Sequence, residues 1–231
     1  MATSPRAFVV RHTRRRPVPG LEAIRLHLAD EVLPLWHAVQ VETGDPDAAL
    51  PYWAFAWGGG LAIAHHLQAN PGLVMGRRVL DLASGSGLCA IAALQAGAAA
   101  VTATDIDPFA GAAIELNAKA DHRRITVIRR DVLDDEPPDV DVVLAGDVCY
   151  EAELAARMLA WLRRAAARGS DVLIGDPGRR YLPADELEVV GSYEVRTTTE
   201  LEDLALKRGR VYALPRSGRT SVARRVIDSS S

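Results

Sequence analysis

The chain has 231 residues, 48% of them hydrophobic, so it is long enough for one sizeable α/β domain with an additional N-terminal segment. Its formal net charge of −3 gives no electrostatic argument for nucleic-acid binding, and no apolar run is long enough to cross a bilayer. The two cysteines, Cys89 and Cys149, lie in apolar surroundings, which predicts buried thiols in a reducing compartment rather than a metal centre.

Residues 1–50 are expected to form an N-terminal extension that packs on the core. The first twenty residues contain several arginines and no acid, which fits either a solvated basic segment or a mitochondrial transit peptide. Residues 24–28 alternate apolar and basic residues, as a half-buried strand does. After this strand, residues 34–36 and 43–46 contain prolines and a glycine, which are expected to break regular secondary structure. The arginine- and alanine-rich composition favours a bacterial cytoplasmic protein, with the mitochondrial matrix as the alternative.

Residues 51–214 are predicted to form the main domain. An aromatic stretch at 51–60 leads into a helix that ends near Asn70-Pro71. Strands are predicted at 79–82, 101–104, 125–128, 140–144 and 172–175, and helices at 88–96, 108–120 and 151–167. This alternation is typical of a doubly wound α/β fold with a mostly parallel sheet.

The end of the domain follows a different pattern. Residues 193–197 and 211–214 are predicted strands without a long helix between them, which indicates an antiparallel hairpin at one edge of the sheet. With the five preceding strands they make a seven-stranded sheet. Residues 215–231 are rich in arginine and serine and are expected to be a disordered tail.

The segment at residues 79–88 is the most informative, because a short apolar strand leads through a small-residue turn into a helix. Glycines in such a turn let a ligand approach the backbone, and the helix start offers it unpaired N–H groups. Asp81, inside the strand end, suits a ligand with an ammonium group. The segment resembles the first signature motif of class I, seven-strand S-adenosylmethionine-dependent methyltransferases. By itself it also fits a dinucleotide-binding G-x-G-x-x-G/A turn, or a turn without a ligand.

An acid marks the end of each of five predicted strands: Asp81, Asp105, Asp131, Asp147 and Asp176. Ligands bind beyond the carboxyl ends of strands in open α/β sheets, so these acids are expected to share one site, although Asp also caps helices. Asp105, eighteen residues after Gly87, is spaced to accept hydrogen bonds from ribose hydroxyls. Ile106 would then pack on an adenine face, and Asp131 with Val132 would bind the adenine amino group.

Six motifs occur in order along the chain: Pro51-Tyr52-Trp53-Ala54-Phe55-Ala56-Trp57-Gly58-Gly59, Asp81-Leu82-Ala83-Ser84-Gly85-Ser86-Gly87, Asp105-Ile106-Asp107-Pro108, Leu116-Asn117-Ala118, Leu144-Ala145-Gly146-Asp147-Val148-Cys149-Tyr150 and Gly175-Asp176-Pro177-Gly178-Arg179-Arg180-Tyr181-Leu182-Pro183. Together they resemble the lysine methyltransferases that modify the β subunit of electron transfer flavoprotein, within the wider protein-methyltransferase family 16. The resemblance covers roughly residues 7–214. The third motif is shared with ribosomal-protein L11 methyltransferases, and Gly58 stands where this family usually has proline.

The resemblance implies an enzyme that transfers methyl groups from S-adenosylmethionine to lysine side chains of that β subunit. It assigns catalysis to Asp147 and Tyr150, the family's D-x-x-Y motif. Asp147 would orient the amine, and Tyr150 would pack on its alkyl stem or hydrogen-bond through its hydroxyl. From the residues alone, the same motif could simply cap the helix that follows. Trp57 would close over the cofactor, or else would be a core tryptophan.

The predicted cofactor-binding residues are Trp57, Asp81, Ser84, Gly85, Gly87, Asp105, Ile106, Asp131, Val132 and Gly146. A substrate rim is predicted at Asp176, Arg179 and Tyr181, although Asp176-Pro177-Gly178 also fits a plain turn. No metal, nucleic-acid or membrane partner is expected. The alternatives in function are a small-molecule N-methyltransferase of the nicotinamide type, an L11-type methyltransferase, and a non-catalytic protein that binds the cofactor.

Overall fold

The computed structural model describes residues 3–120, 124–196 and 206–215. The N-terminal part consists of helix α1 (Pro5–His12), strands β1 (Arg14–Val18) and β2 (Leu21–Leu28), and helix α2 (Val32–Thr43). The two strands pair antiparallel as a separate two-stranded sheet.

The main part alternates helices and strands in the predicted order. Its elements are α3 (Gly58–Ala69), β3 (Arg78–Leu82), α4 (Leu88–Gln95), β4 (Ala100–Asp105), α5 (Pro108–Ala120), β5 (Thr126–Arg129), β6 (Val142–Gly146), α6 (Ala152–Ala167), β7 (Asp171–Asp176), β8 (Glu188–Arg196) and β9 (Leu206–Ala213). Short 3-10 turns lie at Tyr52–Ala54, Pro71–Leu73 and Ala184–Glu186.

The main sheet has seven strands in the order β5-β4-β3-β6-β7-β9-β8. β5, β4, β3, β6 and β7 run parallel, and β9 runs antiparallel to both β7 and β8. The predicted doubly wound, mostly parallel seven-stranded sheet is therefore confirmed, with the hairpin at one edge. The chain leaves β3 toward β5 and returns to β6 on its other side, which creates the crevice where such sheets bind ligands.

The central strands β3, β6 and β7 are buried on both faces, so they are apolar almost throughout. Successive side chains of β3 alternate between faces: Val79 packs with α3 and α4, whereas Leu80 packs with α6. Helix α6 buries one stripe with spacings of three and four residues, which includes Met158 and Trp161. Such a stripe positions the helix, and with it the loop at the carboxyl end of β6.

The N-terminal extension packs on α5. The rings of Phe8 and Phe109 lie 4.6 Å apart, and the backbone N–H of His27 donates to Asn117 Oδ1 at 2.8 Å. In the first segment Arg6, Arg11 and Arg14 are exposed, as a solvated basic segment requires, whereas Phe8 and Val9 are buried against the core.

Pro34 was predicted to break regular secondary structure, and this prediction is wrong. The proline lies in the first turn of α2, where a missing N–H removes no intrahelical hydrogen bond. Gly44, with a φ of +68°, ends that helix as expected. Residues 216–231, most of the predicted tail, lie outside the described residues. Within the described ranges, no helix has both the length and the apolar character needed to cross a membrane.

Candidate active site

A cavity of about 510 Å³ lies at the carboxyl ends of β3, β4 and β6 and beside the loop after β5. This volume is in the range of small-molecule and cofactor sites, roughly 300–1,000 Å³. Twelve of the predicted site residues line it: Trp57, Asp81, Ser84, Gly85, Asp105, Ile106, Asp131, Val132, Gly146, Asp147, Tyr150 and Arg179. Four of the five strand-end acids therefore share one site, as expected.

Asp81 is buried beneath the glycine turn, with 1% of its surface exposed. Its Oδ2 atom accepts hydrogen bonds from the Ser84 hydroxyl and, at 2.9 Å, from the backbone N–H of Ala90 in α4. Burial raises the pKa of this carboxyl to about 7, although both hydrogen bonds oppose the rise. Asp81 thus ties the turn to the helix, and a cation in the cavity would favour its ionised form.

The turn itself depends on glycine backbone geometry. Gly85 has a φ of +56°, and its N–H donates to Asp105 Oδ2 at 2.8 Å. Gly87 has a φ of +83°, and a Cβ there would meet Ile114 at 3.4 Å. Gly87 does not line the cavity, so its cofactor contact stays a prediction. Its glycine is explained by the left-handed backbone at the start of α4.

Asp105 and Ile106 form the wall across the turn. Asp105 Oδ1 accepts the N–H of Asp107 at 3.0 Å, so backbone donors hold both carboxylate oxygens. Each oxygen retains a second lone pair for a ligand hydroxyl. The Ile106 side chain is 69% exposed at the cavity, which leaves an apolar face available to a planar ring.

Asp131 has a partner that the sequence did not indicate. Its carboxylate accepts the N–H of Leu133 at 2.8 Å and pairs with Arg157 of α6 at 2.9 Å. Arg157 also lines the cavity. Nothing in the linear spacing of 131 and 157 signals this pair, because it depends on how α6 crosses the sheet.

Asp147 lies between a helix start and an arginine. Its Oδ2 accepts the backbone N–H of Gly60 at 2.8 Å, and its Oδ1 accepts from Arg179 Nη2 at 3.2 Å. Burial raises the pKa of the carboxyl to about 6, against the lowering by Arg179 and by the Gly60 hydrogen bond. Asp147 also has a φ of +57°, a strained value for a non-glycine residue of the kind that occurs at functional sites.

The close approach of α3 to the sheet requires glycine on both sides. A Cβ on Gly59 would lie 2.1 Å from the Gly175 carbonyl oxygen, and a Cβ on Gly175 would lie 2.1 Å from the Gly59 oxygen. A Cβ on Gly146 would meet Gly60 Cα at 3.0 Å. This contact brings the Gly60 N–H to Asp147. Sequence reasoning missed it, although three consecutive glycines at a helix start were a usable signal.

Three aromatic residues, Tyr52, Trp57 and Tyr150, line the same cavity as Asp147. The Tyr52 ring lies 5.5 Å from Trp57 and 5.1 Å from Tyr150, and Trp57 Nε1 donates to the Tyr52 carbonyl at 2.9 Å. The Arg179 guanidinium lies 5.9 Å from the Trp57 ring centroid. Burial raises the pKa of Tyr150 to about 12, so its hydroxyl is neutral at physiological pH. Trp57 therefore faces the cavity rather than only the core.

The predicted rim is corrected at Asp176, which is fully buried and does not line the cavity. Its Oδ1 accepts the N–H groups of Gly178 at 2.7 Å and Arg179 at 2.6 Å. Asp176 therefore belongs to a plain turn, which was the alternative from the sequence, and this turn positions Arg179. Tyr181 is 39% exposed and also outside the lining, so its docking role stays a prediction.

The cavity suits a ligand with a planar apolar end, a diol and a cationic end. Ile106 and Val132 supply apolar surface, Asp105 supplies acceptors for hydroxyls, and Asp81 and Asp147 supply negative charge. These features fit S-adenosylmethionine, whose adenosine and sulfonium amino-acid parts have this chemistry.

Residues 66–152 match the family model described as ribosomal protein L11 methyltransferase. The matched segment contains β3 to β6 and the glycine turn. A solved structure from Pyrococcus horikoshii, described as a candidate RNA methyltransferase, aligns with a TM-score of 0.54 and 17% identity. The alignment covers 73% of this chain and 90% of that chain, and it supports the fold alone.

Two named relatives match longer stretches of the chain than this family model does. The electron transfer flavoprotein β subunit lysine methyltransferase of Xenopus laevis is 36% identical over 220 residues, which is 92% of this chain and 87% of that relative. The human protein of the same name is 37% identical over 168 residues, covering 70% of this chain and 64% of the human one. The chain therefore belongs to the family of electron transfer flavoprotein β-subunit lysine methyltransferases.

Proposed function

We propose that this chain transfers methyl groups from S-adenosylmethionine to lysine side chains of the electron transfer flavoprotein β subunit. The observation that carries the proposal is the Asp147 carboxylate, held at the cavity beside the rings of Tyr52, Trp57 and Tyr150. A carboxylate attracts an ammonium group, and aromatic faces pack on the alkyl stem and on methylated ammonium. The named relatives supply the identity of the protein substrate.

The cofactor would be held by residues of the glycine turn and of the next two strand ends. Asp105 would accept the ribose hydroxyls, Ile106 would pack on adenine, and Asp131 with Val132 would bind the adenine amino group. Asp81 would face the amino-acid end. When bound, S-adenosylmethionine supplies a sulfonium methyl group that an amine nitrogen can take in one in-line displacement. We expect S-adenosylhomocysteine to bind and NAD not to bind, which calorimetry tests directly.

Asp147 holds the substrate amine rather than acting as a strong base. A lysine with an ordinary pKa near 10.4 costs roughly 4 kcal/mol to neutralise at pH 7.4, and only the neutral amine can attack. Asp147 already accepts hydrogen bonds from Gly60 and Arg179, which stabilise its ionised form. It accepts a further N–H of the amine and aims the lone pair, while the amine proton leaves to water. Positioning of this kind supplies much of the acceleration in such displacements.

The test is methylation of purified electron transfer flavoprotein by the purified enzyme with S-adenosylmethionine, with modified lysines mapped by mass spectrometry. We expect methyl groups on the β subunit. Asp147→Ala is expected to lose most of the transfer while S-adenosylhomocysteine affinity changes less, because Asp147 contacts the amine. If the β subunit stays unmodified while nicotinamide or ribosomal protein L11 is methylated efficiently, the β-subunit assignment is wrong and the methylated compound is the substrate.

We also propose the bacterial cytoplasm as the location. Cys89 and Cys149 are both buried free thiols, which suits a reducing compartment. Fractionation of the source cells followed by immunoblotting would test this, and enrichment in an organelle fraction would favour the mitochondrial matrix.

A further inference from the structure

Arg179 occupies an unusual place for a residue first assigned to a docking rim. Its side chain is only 26% exposed, its guanidinium lies over Trp57, and its Nη2 contacts Asp147 Oδ1 at 3.2 Å. It lines the same cavity as the predicted cofactor residues. The buried Asp176 holds its backbone N–H at 2.6 Å, so the loop that presents Arg179 is anchored.

We propose that Arg179 is a positioning residue whose fixed positive charge balances Asp147 and thereby keeps the bound substrate amine in its neutral, reactive form. The inference rests on the proposed lysine methylation, and it assigns a role to a residue that the sequence placed only on the substrate rim. Arg179 acts through Asp147 and through its charge, without touching the reacting methyl group.

The physical reason is a conflict within the amine site. A buried carboxylate with no counter-ion would bind an ammonium group tightly and stabilise its proton, which opposes attack. A nearby permanent cation removes this effect, and cationic neighbours are a known means of lowering the basicity of a reactive amine. Guanidinium suits this role because it stays charged across the physiological range. The Arg179–Asp147 pair thus retains a hydrogen-bond acceptor for the amine while reducing the negative field.

The other groups around this pair do not supply the same charge. Those that face Asp147 or Arg179 are Asp176, Cys89, Cys149, Tyr52 and Tyr150. The cysteine and tyrosine pKa values are raised by burial, so these groups are neutral at pH 7, and Asp176 adds negative charge. Among these groups Arg179 is the cation, so its removal is expected to change the protonation of the site.

The test compares Arg179→Gln and Arg179→Lys with wild type, measuring kcat and KM on the flavoprotein β subunit from about pH 6.5 to about pH 9.5. The pH dependence of kcat reports the pKa values of groups in the enzyme–substrate complex. Arg163→Gln is the matched control, because Arg163 pairs with Glu186 on the surface and does not line the cavity. Circular dichroism and S-adenosylhomocysteine binding verify that each variant is folded.

For Arg179→Gln we expect kcat to fall about tenfold at pH 7, and the rise of kcat with pH to move up by about one unit, a typical effect of one nearby charge. The deficit should shrink at high pH, KM should not rise, and Arg179→Lys should retain the wild-type profile. A loss of equal size at every pH, or a higher KM with an unchanged profile, would show that Arg179 only docks the substrate and would overturn the proposal. A lysine variant as impaired as the glutamine variant at every pH would overturn it as well.

A second measurement needs no cofactor and no substrate. Carbon-13 NMR of the aspartate carboxyl groups follows the titration of Asp147 in the apo protein, assigned with Asp147→Asn. Loss of the Arg179 charge should move this titration to higher pH, and an unchanged midpoint would contradict the coupling. If wild-type enzyme leaves the β subunit unmodified, the proposed function fails, whereas the titration still decides whether Arg179 controls Asp147.

Discussion

At the scale of single residues, the cavity concentrates buried carboxylates that backbone N–H groups partly compensate. Asp81, Asp105 and Asp147 each accept at least one such hydrogen bond, yet burial still raises the pKa of all three. Burial of carboxylates in this way costs stability, and a cationic ligand would offset part of that cost. The residues that weaken the fold are therefore the ones expected to bind the sulfonium cofactor and the lysine substrate.

Asp105→Ala is expected to weaken binding of S-adenosylhomocysteine. The change removes the carboxylate acceptors for the ribose and the partner of the Gly85 N–H. Hydrogen bonds to a charged group are worth about 1.5–3 kcal/mol, which corresponds to roughly ten- to a hundredfold in affinity. Isothermal titration calorimetry measures the effect, with Asp139→Ala at an exposed surface pair as the control. Equal affinity in wild type and Asp105→Ala would exclude Asp105 from the cofactor site.

Asp81→Asn is expected to change how the stability of the cofactor-free protein depends on pH. The pKa of Asp81 is raised from 3.8 to about 7, so folding opposes its ionisation. Wild type therefore loses stability as the pH rises from 3.8 toward 7, whereas asparagine has no charge to bury. The stability of the variant relative to wild type should increase over this interval by up to roughly 4 kcal/mol.

Urea unfolding at a series of pH values would measure this difference. A stability gap between Asp81→Asn and wild type that does not vary with pH would mean that Asp81 titrates normally in the fold. Asp139→Asn, which makes the same substitution at an exposed carboxyl, is the control.

At the scale of elements, the contact of α3 with β6 and β7 builds the end of the cavity that contains Asp147. The helix start rests on strand backbone at Gly146 and Gly175, and this places the Gly60 N–H and the positive end of the helix dipole at Asp147. Gly58, where the family usually has proline, is the first residue of α3, a position that proline also tolerates. The departure at Gly58 therefore leaves the helix start intact.

Gly59→Ala is expected to damage both stability and turnover. Its Cβ would lie 2.1 Å from the Gly175 oxygen and 2.7 Å from Asp147 Oδ2, so backbone must move. Overpacking of this kind costs about 1–3 kcal/mol, and the displaced helix would carry the Gly60 N–H away from Asp147. Gly72→Ala is the control, since nothing lies within 4 Å of its Cβ. Thermal unfolding and methyl transfer measure the two effects, and a Gly59 variant as active and stable as Gly72→Ala would contradict the contact.

At the scale of the whole molecule, one buried side-chain amide joins the N-terminal extension to the glycine turn before α4. Asn117 of α5 accepts from the His27 N–H at 2.8 Å and donates to the Ser86 carbonyl at 2.9 Å. It is fully buried, so both partners depend on it rather than on water. The extension is thus coupled to the site, although it contributes no predicted catalytic residue.

Asn117→Ala is expected to destabilise the protein by about 1–3 kcal/mol for each partner left unpaired, and to weaken S-adenosylhomocysteine binding through the Ser86 turn. Gln95→Ala is the matched control, because Gln95 also joins the core to the extension, at Ala23, but at an exposed position. Denaturant unfolding and calorimetry provide the two readouts. If both variants lose the same small amount of stability and neither changes affinity, the coupling is absent.

The sequence allowed most of the fold and much of the site to be predicted, because both depend on local signals. Alternating apolar strands and amphipathic helices specify the parallel sheet, and the strand ends of such a sheet meet at one edge. Asp81, Asp105, Asp131 and Asp147 were therefore assigned to one cavity from their places at the ends of predicted strands. Pro34 and Asp176 were misjudged because a proline in a first helical turn and an aspartate in a turn have ordinary local roles.

The sequence by itself determined the sheet, the position of the ligand crevice and the family motifs, since each of these is written in neighbouring residues. The tertiary structure alone decided the partners of the acids. Asp131 faces Arg157, Asp147 faces Gly60 and Arg179, and Asn117 links two separate parts of the chain. These contacts join positions from 26 to 90 residues apart, so they depend on how helices cross the sheet rather than on any local pattern. The charge balance that we propose between Asp147 and Arg179 depends on one of these contacts.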